Sequence, residues 1–191
     1  MMTAEEKANE VFGLYEKYGA TEYHGEPVSQ LEHMFQSAVF AEDFGYDDEV
    51  VLAAFFHDIG YFLKDKNYAQ MNGFGQTEHE KIGAAYLRDL GFSEKICRLI
   101  LEHVNAKRYL CYKYADYYNN LSEASKNTLT FQGGPMNESE AMTYENGPLF
   151  DTIIQMRKWD EAAKEVNISI SSEFVEQLKA IALNHLKAQA I

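Results

Sequence analysis

The sequence predicts an all-α protein, and three features of the chain carry that reading. Every well-patterned segment repeats its apolar residues at the helical period of 3.6. No segment shows the alternation and tight turns of paired strands. Helix-start signatures recur ahead of the apolar runs.

Thr3 and Glu6 form a capping-box pattern, followed at helical spacing by Val11, Leu14, Tyr15 and Tyr18. "GATEYHGEPVSQ" breaks that helix through Gly19, Gly25 and Pro27. A second helix is predicted from about Ser29 to Phe44, apolar on two faces and therefore central. "GYDDEVVLAAFFHDIGYFL" reads as a helix that starts near Asp47 or Asp48 and ends at Gly60, with His57 and Asp58 in its last turn. "KDKNYAQMNGFGQ" reads as loop, and Thr77 with Glu80 as a capping box for a helix that stops at Gly91. Ser93 opens the next helix, with Ile96, Leu99, Ile100, His103 and Val104 on one stripe. The stretch from Asn119 to Pro148 reads as a long irregular connection. Pro148 is expected to begin a helix through Ile153, Ile154, Arg157 and Asp160, and Ser171 or Ser172 the last one.

Composition bounds the function. The chain has 191 residues, 46% of them hydrophobic, with three prolines and no repeat or low-complexity segment, so one domain over 1–191 is expected. A net charge of −13 argues against non-specific grip on nucleic acid or an anionic membrane. Two cysteines are too few for a secreted disulfide scaffold. The N-terminal stretch is acidic with no apolar signal core, and no window approaches the roughly 18 apolar residues of a membrane span. A soluble, reduced, cytoplasmic protein is expected, with the sequons at Asn120, Asn137 and Asn167 fortuitous.

The polar residues on apolar faces raise the chemical question. His57 and Asp58 follow seven apolar residues, and a buried charge is costly unless paired or metal-bound. His33 lies on the second face of its helix, His79 in the first turn after Thr77, and His103 on the stripe with Ile96 and Ile100. Asp160 follows Ile153 by seven residues. One such histidine is usually a hydrogen-bonded core residue. Four histidines and two aspartates on successive helices are better explained as ligands, and imidazole with carboxylate suits Fe, Mn or Zn. Two metals sharing a carboxylate need about this many ligands. His24 and His185 lack that context and are not expected to bind metal.

The ordered set of His33, "HDIG", His79, His103 and Asp160 resembles the HD-domain superfamily. The resemblance implies a four-ligand core of His33, His57, Asp58 and Asp160, with His79 and His103 marking the binuclear subgroup. The chain is most similar to the mixed-valent di-iron oxygenases of that superfamily, and among them to phosphonate oxygenases. The likeness runs from "EYHGEPVSQLEH" through "HEKIGAAYLRDLGFSEKICRLILEHVNAKRYL" and "LSEASKNTLTFQGGPM" to "RKWDE". It implies an Fe(II)/Fe(III) pair with O2 as co-substrate. Tyr23 matches a tyrosine that covers an iron until substrate arrives, and Glu26 a glutamate that recognises the substrate amine. Lys107, Ser125 and Gln132 match phosphonate-binding residues, and Arg157 an arginine one turn before the last ligand. Where the family has an active-site histidine after "HDIG", this chain has Tyr61, which cannot serve as an imidazolium. The implied reaction is oxidative cleavage of the carbon–phosphorus bond of a 1-hydroxy-2-aminoethylphosphonate or its N-methylated form. The alternative is a binuclear metal-dependent phosphohydrolase or phosphodiesterase of the same fold. A small-molecule phosphonate is the only partner expected.

Overall fold

The computed structural model describes residues 2–23, 25–63, 69, 71, 73 and 75–190. Those residues form a single all-α unit, with an isolated bridge between Glu22 and Ser29. Much of the segment read as loop after Leu63, and His24, lie outside the described residues.

Local chemistry starts each helix. α1 (Ala4–Tyr18) and α2 (Gln30–Asp43) both begin at capping boxes, Thr3 with Glu6 and Ser29 with Glu32. α3 (Asp48–Phe56) is capped by Asp47, and all seven residues from Val50 to Phe56 are buried, as a central helix requires. α2 and α5 (Glu94–Lys113) pack against α3, and α9 (Phe150–Ala162) crosses α2 and α5. α4 (His79–Leu90) lies along α5, while α1 and α10 (Ser172–Gln189) pack on one another. Burying a side chain such as Phe55 or Leu52 stabilises the fold by about 1.5–3 kcal/mol.

α3 stops earlier than its sequence suggests, at Phe56 rather than Gly60. The last carbonyls of a helix lack backbone donors, and here side chains supply them. Tyr15 Oη donates to the Phe55 carbonyl at 2.8 Å while its ring stacks on Phe55 at 4.4 Å. His57 Nδ1 donates to the Ala54 carbonyl at 2.8 Å. A 3-10 turn (Ile59–Phe62) follows, and His57 and Asp58 occupy the joint between the two elements.

α4 docks directly onto that turn. A Cβ on Gly60 would lie 1.9 Å from the His79 carbonyl oxygen, and one on Gly83 would lie 3.1 Å from Ile59. The capping box expected from Thr77 and Glu80 does not form. Thr77 instead donates through its N–H and hydroxyl to the Ala69 carbonyl, and the N-cap position of α4 falls one residue later, on Glu78, whose φ is 61°.

The stretch read as an irregular connection holds the end of one short helix, α6 (Ala115–Asn120), and two whole ones, α7 (Glu123–Phe131) and α8 (Glu138–Glu145). They are too short and bury too little for a clear periodic signal. α6 buries no residue and α8 only Ala141. Likewise α9 begins at Phe150 rather than Pro148, after Leu149 turns the chain with φ of 63°.

Candidate metal centre

Six buried side chains converge from five places in the fold: His33 on α2, His57 and Asp58 at the joint after α3, His79 at the start of α4, His103 on α5 and Asp160 on α9. None is more than 3% exposed. Their donor atoms fall into two groups that share Asp58. Asp58 Oδ2 lies 3.4 Å from His57 Nε2 and 3.7 Å from His33 Nε2. Asp58 Oδ1 lies 3.1 Å from His79 Nε2 and 3.5 Å from His103 Nε2. Asp160 Oδ1 completes the first group, 3.3 Å from His33 Nε2.

The nitrogens show what this arrangement is built to hold. His33 Nε2 and His57 Nε2 face each other at 3.0 Å. Their Nδ1 atoms meet the Ala163 and Ala54 carbonyls at 2.9 and 2.8 Å. A carbonyl can only accept, so in the neutral imidazoles each Nδ1 carries the proton and each Nε2 presents a lone pair. In that neutral state the two facing lone pairs suit a chelated ion. His79 Nε2 and His103 Nε2 repeat the pattern at 3.1 Å, with His103 Nδ1 on the Ile100 carbonyl at 2.7 Å. Two nitrogens each about 2.1 Å from one ion, at right angles, would be about 3 Å apart. Asp58 Oδ2 is buried with no hydrogen-bond partner among the described residues, and a metal ion would satisfy it. The donor set fits a metal pair.

The electrostatics agree. Burial lowers the basicity of His57, but Asp58 and Asp160 outweigh it and raise the pKa to about 9. Burial pushes the Asp160 carboxyl up, yet Arg157 and His57 hold it well below the usual carboxylate range. Buried carboxylates that stay ionised beside imidazoles form a strong cation trap, and metal binding would release the His57 proton.

A cavity opens beside the centre. Its wall includes Asp58, His79, His103 and Asp160 together with Tyr23, Glu26, Tyr61, Lys107, Ser125, Gln132 and Arg157. His33 and His57 sit behind it. The Tyr23 ring stacks on His33 at 4.0 Å and the Tyr61 ring on His79 at 4.1 Å, so each half of the centre is faced by one phenol. Burial, then Asp58, Glu80 and Asp160, push the Tyr61 phenol well above its ordinary value, and it remains a neutral donor. Tyr23 and Glu26 lie on a loop closed by Gln30 N–H to the Thr21 carbonyl and Tyr23 N–H to the Val28 carbonyl, both 2.9 Å.

Lys107 is 3% exposed and donates to Thr128 Oγ1 at 2.9 Å. Burial and then Arg157 lower its pKa to about 7, against the opposing pull of Asp160, Glu161 and Asp58. Gln132 Oε1 is buried and lacks a partner among the described residues. A half-turn of that amide would present its NH2 instead, so either end is available to a ligand. Arg157 Nη1 donates to Asp160 Oδ2 at 2.5 Å, Nη2 to Glu161, and Nε to Tyr117 Oη at 2.9 Å. The arginine therefore orients the last ligand as well as lining the cavity.

Lys164 was not singled out by sequence reasoning. Its ammonium lies 3.0 Å from Glu26 Oε1, which also accepts from Ser122 Oγ at 2.5 Å, and 2.9 Å from Glu161 Oε1. Its spacing from Glu161 is local, but its pairing with Glu26 is made across the fold and no local pattern marks it. His185 is remote from the centre; its Nε2 accepts from Ser93 N–H at 3.1 Å and its ring stacks on Phe92. Among the described residues, no helix is long and apolar enough to cross a membrane.

Comparison with known proteins finds a family model described as "HD domain" that matches residues 31–129. An uncharacterised protein of Acanthamoeba polyphaga mimivirus is 41% identical over 166 residues, covering 86% of this chain and 76% of that protein. The [1-hydroxy-2-(trimethylamino)ethyl]phosphonate dioxygenase (glycine-betaine-forming) of Leisingera caerulea is 40% identical over 156 residues, covering 82% and 79%. The hydroxymethylphosphonate dioxygenase of Gimesia maris is 36% identical over 169 residues, covering 88% and 83%.

Proposed function

The chain belongs to the HD-domain family, and from that membership we propose that it is a di-iron oxygenase that uses O2 to cleave the carbon–phosphorus bond of a 1-hydroxyalkylphosphonate. The observation that supports this best is the single cavity whose wall joins the candidate ligands Asp58, His79, His103 and Asp160 to Lys107, Ser125 and Gln132. A dianion needs a cation and hydrogen-bonding groups, and in this acidic chain they are gathered beside the metal centre.

His33, His57, Asp58 and Asp160 would hold one ion, and Asp58, His79 and His103 the other. A ferrous–ferric pair would supply the electron that O2 activation needs and the Lewis acidity that grips a hydroxyl oxygen. The protein's own residues do the rest. Lys107, Ser125 and Gln132 bind the phosphonate. Arg157 fixes Asp160. Glu26 receives a nitrogen at C2 of the substrate: both of its contacts fall on Oε1, which leaves Oε2 for an ammonium. The substrate is then a 1-hydroxyethylphosphonate with a primary or N-methylated 2-amino group, and the products are phosphate and glycine or an N-methylated glycine. Elemental analysis of protein made in iron-replete cells should find two irons per chain, and partial reduction should give a mixed-valent EPR signal. One zinc or manganese per chain, with no such signal, would put the phosphohydrolase in its place.

Lys107→Ala should weaken substrate binding by roughly 1.5–3 kcal/mol, the worth of a hydrogen bond to a charged group, and leave iron content intact. The pH dependence follows from its environment. At pH 8 a lysine with a pKa of about 7 is mostly neutral, and nearby metal cations push in the same direction as Arg157. A bound phosphonate favours the ammonium, so binding takes up a proton and weakens as pH rises, by up to about tenfold per unit. Calorimetry at pH 8 in buffers of different protonation enthalpy should show an uptake that Lys107→Ala lacks. Equal uptake in both proteins would remove Lys107 from the phosphonate site.

The cavity has about 30 Å³ of free volume, room for one or two waters. The loop that carries Tyr23 and Glu26 forms part of its wall. Tyr23→Phe keeps the stacking on His33 and removes the phenol oxygen. The resting iron spectrum should change, and the iron should oxidise faster in air without substrate. An unchanged spectrum and unchanged air stability would reduce Tyr23 to packing.

A further inference from the structure

The four buried histidines differ in what holds the nitrogen that turns away from the centre. His33, His57 and His103 each place Nδ1 on a backbone carbonyl, at 2.9, 2.8 and 2.7 Å. His79 does not. Its Nδ1 is buried with no hydrogen-bond partner among the described residues. Oε2 of Glu80 lies 3.7 Å away, and it too is buried and without such a partner. Two orphaned polar atoms of complementary character thus face each other in the interior, where neither is stable alone.

His79 Nε2 points at Asp58 Oδ1 and His103 Nε2, both at 3.1 Å. When that nitrogen gives its lone pair to an ion, the ring proton must sit on Nδ1, facing Glu80. We propose that Glu80 is the positioning residue of the His79–His103 half-site. Its carboxylate accepts the Nδ1–H of His79, directly after a small closure or through one water. That contact fixes the tautomer and the rotation of the ring, while Tyr61 stacked at 4.1 Å fixes its plane. A carboxylate partner also makes an imidazole a stronger donor than a carbonyl partner does. The centre is therefore asymmetric in its outer contacts: among the described residues, one histidine is backed by a charge and three by neutral carbonyls.

A competing role for Glu80 is purely structural, since an acidic residue in the first turn of α4 is favoured by the helix dipole. The test separates the two. It rests on the two-metal reading and checks that reading in the same experiment. Metal-free wild-type protein is titrated anaerobically with Fe(II) by calorimetry, and the iron-loaded, partly oxidised protein is then examined by EPR. Wild type should take up two ions. Glu80→Ala should weaken one of them by on the order of 10–100-fold and leave the other unchanged. Glu80→Gln keeps an acceptor and a similar volume but no charge, so its loss should be smaller while its mixed-valent EPR signal still shifts. Circular dichroism reports folding, and Glu80→Gln decides the matter if Glu80→Ala does not fold. Two ions in wild type, with Glu80→Gln matching its affinities and its EPR signal, would overturn the role of Glu80 alone. Equal weakening of both ions would assign Glu80 to the helix. A single ion in wild type would overturn the metal pair, and the role of Glu80 with it.

Discussion

Asp58→Ala is expected to cost the protein both metal ions at once. Among the described residues, Asp58 is the one carboxylate whose two oxygens face different histidine pairs, Oδ2 toward His33 and His57, Oδ1 toward His79 and His103. An alanine removes a ligand from each half and leaves Asp160, beside His33 and His57, as the remaining carboxylate of the centre. Metal per chain should fall from two to near zero, and turnover should fall below detection. His103→Ala should by contrast remove one ion and spare the other. The fold should survive Asp58→Ala, because Asp58 contributes little apolar burial and the helices around it are packed by Phe55, Phe56, Leu52 and Ile100. Elemental analysis beside circular dichroism checks both halves of the claim. A folded Asp58→Ala protein that keeps one tightly bound ion would show that Asp58 serves only one half-site.

Gly60→Ala is expected to be strongly destabilising. The added Cβ would stand 1.9 Å from the His79 carbonyl oxygen and 2.7 Å from its carbon, both backbone atoms that no rotamer change can move aside. The turn cannot easily retreat, because Gln76 Nε2 donates to the Gly60 and Leu63 carbonyls at 2.7 and 2.9 Å. Overpacking a core typically costs 1–3 kcal/mol, and a backbone obstacle puts this case at about 3 kcal/mol or more. For a chain of this size that is a fall in Tm of roughly 6–12 °C. The start of α4 should be pushed outward and carry His79 with it, so one ion should be lost as well. A variant that melts within a degree or two of wild type and holds two ions would mean that α4 does not sit on this turn.

The clash explains why the motif "HDIG" was legible as a unit. His57 and Asp58 face the centre, and the glycine two residues on lets α4 bring His79 to them. α2 and α5 were readable because each joins a capping residue, Ser29 and Ser93, to a strong apolar stripe, whereas α4 and α9 start without a side-chain cap. What escaped notice lacked one of those signals. α8 has a full capping box, Asn137 with Glu140, but almost no apolar face. Glu80 has the right spacing to serve Thr77, and that local pattern concealed its position beside His79. Lys164 reaches Glu26 only because the segment after α9 passes the loop before α2. Spacing along one helix is visible in a sequence; a meeting between distant segments is not.

One such meeting has a consequence for how the protein is made. The ring of His33, on the first helix to supply a candidate ligand, is oriented by the Ala163 carbonyl, 130 residues later in the chain. Beside it, Gln36 clamps the Glu165 backbone in both directions, its Nε2 donating to the carbonyl at 3.1 Å and its Oε1 accepting the N–H at 3.0 Å. Joining ends so far apart carries a large loop-closure entropy, and contacts of that span form late. On the ribosome, α2, α3 and α5 emerge well before residue 163 exists. During that interval the histidines of the growing chain have no fixed tautomer at His33 and no Asp160. The half-site of His33 and His57 is therefore incomplete in the nascent chain, and its assembly waits for the segment that carries Asp160 and Ala163.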